Sequence, residues 1–153
     1  MLFVDGDGAS RASLRNLKLA VPLNEAGFAT LLVDLLTEAE RTHRHSRERE
    51  LSLITCRIKE VTRWVNAEPE TTALPIGCLG ASTGAAAALR AAAAPGDSVH
   101  SVVSLGGGPD IVSGDFAQVT ALVLLLAGSR DPDGLGWARE AAKLLHAPHQ
   151  STM

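Results

Sequence analysis

The sequence predicts an α/β fold: a doubly wound, mostly parallel sheet of about five strands with helices on both faces. Three observations carry that prediction. Short apolar runs alternate with longer stretches of helical periodicity, the pattern left by βαβ units. The apolar runs are nearly continuous, as strands buried on both faces are. A length of 153 residues, 46% hydrophobic and 20% charged, suits one domain with a core, spanning 1–153, rather than two.

Taken in order, the predicted strands are Leu2–Asp5, Ala29–Asp34, Ile76–Leu79, Ser101–Leu105 and Leu122–Ala127. The predicted helices between them are Ser13–Ala26, Glu50–Ala67, Ser82–Ala94 and Gly136–His146. Gly27 closes the first helix, and Pro95-Gly96 closes the third. Ala85–Ala94 is a strong helix former with a thin profile, able to approach a sheet closely. Glu38–Glu50 interleaves Arg41, Arg44, Arg47 and Arg49 with Glu38, Glu40, Glu48 and Glu50, and reads as a solvated linker. Residues 147–153 read as a frayed tail. With spatial order 2-1-3-4-5, the topological switch point falls between the first and third strands, where such sheets bind ligands. The Asp5–Arg11 loop and Ser82 flank it, and Asp34 closes the second strand on the same rim, as a turn cap or a substrate contact. The run Leu122–Ala127 would form an uncovered apolar edge, an expected route to a homo-oligomer.

Composition narrows the function. A balance of 14 − 17 = −3 gives no basic stripe for nucleic acid. The longest apolar run, Ala121–Ala127, is far short of the about 20 residues that span a bilayer, so no membrane partner is expected. Asp5 interrupts the start before any signal-like stretch, so a cytoplasmic location is expected. Cys56 and Cys78 read as reduced structural residues. His43 and His45 lack a third ligand at metal spacing, so neither a metal site nor a cofactor is expected.

One run carries chemistry. Gly80-Ala81-Ser82-Thr83-Gly84 is a G-x-S-x-G turn with a predicted strand before it and a helix after it. That context makes a nucleophile elbow: strand and helix nearly touch, so small residues flank a serine held in a strained, exposed position. The helix start aims the Thr83 N–H at the reacting centre as an oxyanion donor. A serine needs a base oriented by an acid. Asp131, just beyond the last predicted strand, would open on the same rim as Ser82; its bland alternative is a helix N-cap. Asp110, in the loop after the fourth strand, is the fallback acid.

With these residues, and with the Ser104–Asp110 loop and Gly128-Ser129-Arg130-Asp131, the chain resembles the dienelactone-hydrolase branch of the α/β-hydrolase superfamily from Leu2 through Leu145. The resemblance implies a hydrolase of carboxylic esters, lactones or thioesters, acting on a small-molecule acyl substrate. It puts the nucleophile at Ser82 and not at Cys78, four residues upstream. It implies a second oxyanion donor from the loop at Asp7 or Gly8, where relatives carry His-Gly and this chain carries Asp5-Gly6. It also implies one more strand and then the catalytic histidine after the last helix, so the chain is expected to be truncated at both ends and the hydrolase weak or inactive. His149 is the candidate base within the chain, and His146 is expected in the last helical turn. Two other readings compete. Asp5-Gly6-Asp7 fits the D-x-D motif of a haloacid-dehalogenase-like phosphatase, with Asp5 attacking phosphorus, Asp7 as acid and base, and Mg²⁺ near Asp131 and Asp133. A non-catalytic hydrolase remnant is the third.

Overall fold

The apolar runs become a parallel sheet, and it has six strands rather than about five. The computed structural model describes residues 1–6, 11, 13–42, 46–96, 98–106, 114–146 and 148–152. The elements run β1 (Leu2–Asp5), α1 (Leu14–Glu25), β2 (Leu31–Leu32), α2 (Glu38–Thr42), α3 (Arg47–Ala67), β3 (Ile76–Ala81) and α4 (Thr83–Ala92). They continue with β4 (Val99–Leu105), a 3₁₀ turn (Gly114–Gln118), β5 (Leu122–Leu126), α5 (Pro132–Leu144) and β6 (His149–Thr152). The strand order is β2-β1-β3-β4-β5-β6, with each pair parallel. The predicted 2-1-3-4-5 order is therefore present, extended by one strand.

That extra strand corrects two expectations. The run Leu122–Ala127 is not an uncovered edge, because β5 pairs with β6 from Val123↔His149 to Leu126↔Thr152. Nor does the whole of 147–153 fray, since His149–Thr152 is β6. His-Gln-Ser-Thr carries no apolar signal; main-chain hydrogen bonds to β5, which any side chain permits, make it a strand.

The charged segment is also more ordered than a linker. Thr37 and Glu40 form a capping box at the start of α2: Thr37 N donates to Glu40 Oε2 at 2.8 Å, and Glu40 N donates to Thr37 Oγ1 at 3.3 Å. Ser46 caps α3, accepting from Arg49 N, so that helix begins at Arg47 instead of Glu50. Arg57 on α3 then clamps Glu40 through two bonds of 2.8 and 2.9 Å and donates to the Leu35 carbonyl at 2.6 Å. Its guanidinium, with the Thr37 amide and hydroxyl, pulls the Glu40 carboxyl from 4.5 down to about 2. A depressed carboxylate adds stability that is present above its unfolded value and lost as pH falls through the folded one. Urea midpoints of wild type and Glu40→Gln should therefore differ near neutral pH and converge as pH drops from 4.5 toward about 2. A gap that stays constant to pH 2 would refute this.

Right-handed crossovers set the layers. From β1 the chain steps one way through α1 to β2, then returns and moves the other way through α3, α4 and α5. Among the described residues, α1 therefore covers one face, while α3, α4 and α5 share the other. On the shared face Leu2, Val4, Cys78, Val102, Val123 and Leu125 join Ile54, Ile58, Leu89, Trp137 and Ala141 in one core. Cys78 is buried and Cys56 exposed, and neither is in a disulfide. α4 buries Gly84–Leu89 along with Ala91 and Ala92, enclosed by the sheet beneath it and by α3 and the 3₁₀ turn beside it, and its alanine-rich sequence suits that close approach. Among the described residues, no helix is long and apolar enough to cross a membrane.

Candidate active site

Ser82 sits where β3 passes into α4, with φ 51° and ψ −129°, the sole non-glycine residue of positive φ among those described. An L-residue enters that region only when its surroundings force it. The forcing contacts are identifiable. A β-carbon built on Gly80 would lie 2.7 Å from the Ala85 nitrogen, and one on Gly84 would collide with the Val4 carbonyl. β3, α4 and β1 thus converge within backbone contact around the serine. The side chain is half-buried and makes no capping bond to its own helix. Thr83 is the first residue of α4, and its N–H, like those of any first turn, has no intrahelical acceptor.

Gly106, just past β4, connects this bend to Asp131. Its carbonyl accepts from Ser82 N at 3.2 Å, and its N–H donates to Leu126 O at 2.8 Å at the end of β5. A β-carbon on Gly106 would lie 4.0 Å from Asp131 Oδ2, and the glycine adopts φ +55°. Ser82 and Asp131 therefore share the carboxyl-terminal rim, on either side of Gly106. The sequence offered Gly106 only as the start of a glycine run; its positive φ and its two bonds come from strand register. Asp131 is also the N-cap of α5, its Oδ1 accepting from Gly134 N at 3.0 Å. The structure thus gives it the capping role, its bland alternative, on the rim it was expected to share with Ser82.

The other expected residues fall elsewhere. His149 pairs with Val123, which is level with Val102 and in turn with Cys78. It lies four residues below Ser82, about 13 Å along the strands, and three strands away, a further ~14 Å. His149 as base is corrected on that ground. His146 lies beyond α5, which ends at Leu144, so the expectation of a last-turn histidine is corrected too. α5 runs opposite to the strands, which leaves His146 at the amino-terminal rim. His100 Nδ1 accepts from Ile76 N at 3.4 Å at the start of β3, also at the far rim. No histidine among the described residues reaches the rim of Ser82. Asp7, Gly8, His43, His45 and Asp110 lie outside the described residues.

Asp5 ends β1 with both carboxylate oxygens engaged, one by Arg15 and the other by the buried Asn16. It ties α1 to the sheet, a structural role. Asn16 was not anticipated, since a polar residue at an inward helical position gives no sequence signal until its partner is known. Asp34 accepts from Arg11 N at 2.7 Å and sits 3.7 Å from the Arg11 and Arg41 guanidiniums, tying the loop after β1 to the end of β2.

With this geometry the chain is similar to a dienelactone hydrolase from Anabaena variabilis, at 38% identity and a TM-score of 0.89, over 98% of this chain and 71% of that one. The chain belongs to the dienelactone-hydrolase branch of the α/β-hydrolases. A carboxylesterase from Bacillus cereus shares the fold of this hydrolase-family domain at 20% identity and a TM-score of 0.70, over 99% of this chain and 76% of that one. Two proteins of Mycobacterium tuberculosis strains, each named as a phosphoribosyl transferase, are 47% identical to the domain over 131 residues. The match covers 86% of this chain, which spans 29% of the length of those curated relatives. No family profile matches the domain.

Proposed function

We propose that this domain is a serine hydrolase of carboxylic esters, lactones or thioesters, with Ser82 as nucleophile and Asp131 as the acid that orients a base. The observation that carries the proposal is the forced positive φ of Ser82 at a strand-to-helix bend that has Asp131 on the other side of Gly106. The Thr83 N–H supplies one oxyanion donor, and the loop through Asp7 supplies the second. In this scheme Ser82 Oγ attacks the acyl carbon, its proton passes to the base, and the tetrahedral oxyanion is held at the start of α4. The base is a histidine delivered to the rim beside Asp131. The family position for it follows the last strand, which here is β6. Without that histidine the chain turns over slowly, because loss of a triad histidine can cost about 10⁶ in kcat.

The transferase name of the Mycobacterium tuberculosis relatives belongs, in this reading, to parts of those proteins outside the matching segment. A fluorophosphonate probe tests the proposal. Wild type should label at Ser82, and Ser82→Ala should abolish labelling. Where the histidine is in place, Asp131→Asn should keep the α5 cap and the fold but slow labelling at least tenfold. Asp131→Ala should in addition lose about 1 kcal/mol of stability. Persistent failure of folded wild type to label would favour the remnant reading.

A further inference from the structure

Beside the nucleophile bend, the chain leaving β1 lies directly on the helix that begins at Thr83. Asp5 is level with Ala81, the residue before Ser82. Gly6 is buried, and a β-carbon built on it would lie 2.6 Å from Thr83 Cβ and 2.9 Å from the Thr83 carbonyl carbon. From the other side, a β-carbon on Gly84 would come within 2.9 Å of Gly6 N. The Asp5–Gly6 peptide therefore rests on the first turn of α4. The side chain of Asp5 anchors that peptide to α1. Its carboxylate is 12% exposed, one oxygen accepting from Arg15 and the other from Asn16 Nδ2. Both donors stand on α1, and Asn16 is buried at an inward position, one turn before the apolar Ala20. A buried amide is costly to desolvate unless it is hydrogen-bonded, so what Asn16 holds explains its presence there.

We infer that Asn16 and Arg15 are positioning residues of the hydrolase site, acting through Asp5 on the oxyanion donor that follows Gly6. The inference rests on the reading of Ser82 as nucleophile and of the Asp7 N–H as second donor. Two effects combine. The first is alignment: the direction in which the chain leaves Gly6 sets where the next N–H points, and a displacement of about 1 Å can cost about 10² in rate. Holding Asp5 by both oxygens restricts that direction. The second is charge. A bare carboxylate at this rim would oppose the negative charge that develops on a tetrahedral intermediate. The Arg15 guanidinium neutralises it, and the Asn16 amide takes the remaining oxygen without adding charge. Neither side chain touches the substrate in this scheme.

Fluorophosphonate labelling of the full chain, resolved into the probe's binding constant KI and its maximal rate kinact, tests the inference. Asn16→Ala, read well below its melting temperature, should lower kinact by roughly tenfold or more and leave KI within about twofold. A merely structural loss would reduce the amount of protein that labels and leave kinact of the folded part unchanged. The double exchange Asp5→Asn with Asn16→Asp should bring kinact back to within about threefold of wild type. In it, position 5 still accepts from Arg15 and now donates to position 16. Should Asn16→Ala fail to fold, Arg15→Met carries the test from a half-exposed side chain and should lower kinact by about threefold or more. An unchanged kinact in the folded single variants would overturn the inference and leave Ser82 as nucleophile, and so would a double exchange no faster than Asn16→Ala. A folded wild type that never labels would remove the nucleophile itself, and the inference would fall with it. Whether wild type labels therefore tells the two failures apart.

Discussion

Gly84→Ala is expected to destabilise the domain by about 3 kcal/mol or more, which for a chain of this size lowers the melting temperature by roughly 10 °C. The single added methyl has nowhere to go. It would overlap the Val4 carbonyl oxygen and come within 2.8 Å of the Val4 carbonyl carbon and 2.9 Å of Gly6 N. These are backbone atoms of β1, and they cannot rotate aside as a side chain could. Relief would require α4 to lift from the sheet, and α4 buries eight of its ten residues there. Gly136→Ala is the control. A β-carbon at Gly136 meets nothing within 4 Å, and the residue lies inside α5. There the substitution should stabilise by about 0.5–1 kcal/mol through helix propensity and a less flexible unfolded chain. Paired urea denaturation measures both. Equal effects at the two positions would refute the close-approach account.

The second large effect combines opposite signs at one residue. Ser82→Gly should lose fluorophosphonate labelling completely, as removal of the proposed nucleophile must. It should also raise stability by about 1 kcal/mol. A strained non-glycine backbone costs about 1–3 kcal/mol. Glycine at φ 51° and ψ −129° relieves most of that, while its greater freedom in the unfolded chain takes back about 0.5–1 kcal/mol. Ser82→Ala separates the terms, because alanine keeps the β-carbon and hence the strain. Its stability should stay within about 0.5 kcal/mol of wild type. If alanine stabilised as much as glycine, the gain would come from losing the hydroxyl and not from the backbone.

The sheet and the elbow could be read from the sequence because burial writes them there. β1, β3, β4 and β5 are runs that sit between two layers, or against one layer and an open apolar face, and Gly80 and Gly84 mark a contact that no side chain survives. What escaped reading depends on partners remote in sequence. β6 has polar residues and becomes a strand only by pairing with β5. α2 did carry a local sign, the Thr37 to Glu40 spacing of a capping box, but the surrounding charges favoured a solvated reading. β2 shrinks from a predicted six residues to Leu31–Leu32, because pairing with β1 holds only two positions in register. The exclusion of His149 could not have been read at all. One strand more or less decides which rim a terminal histidine occupies, and the decision lies in hydrogen bonding.

Gly106 carries a last consequence. Its two main-chain bonds hold the bend at Ser82 level with the end of β5, and main-chain bonds are indifferent to which side chains decorate that rim. Neighbouring positions can change in bulk or polarity while that spacing keeps its setting.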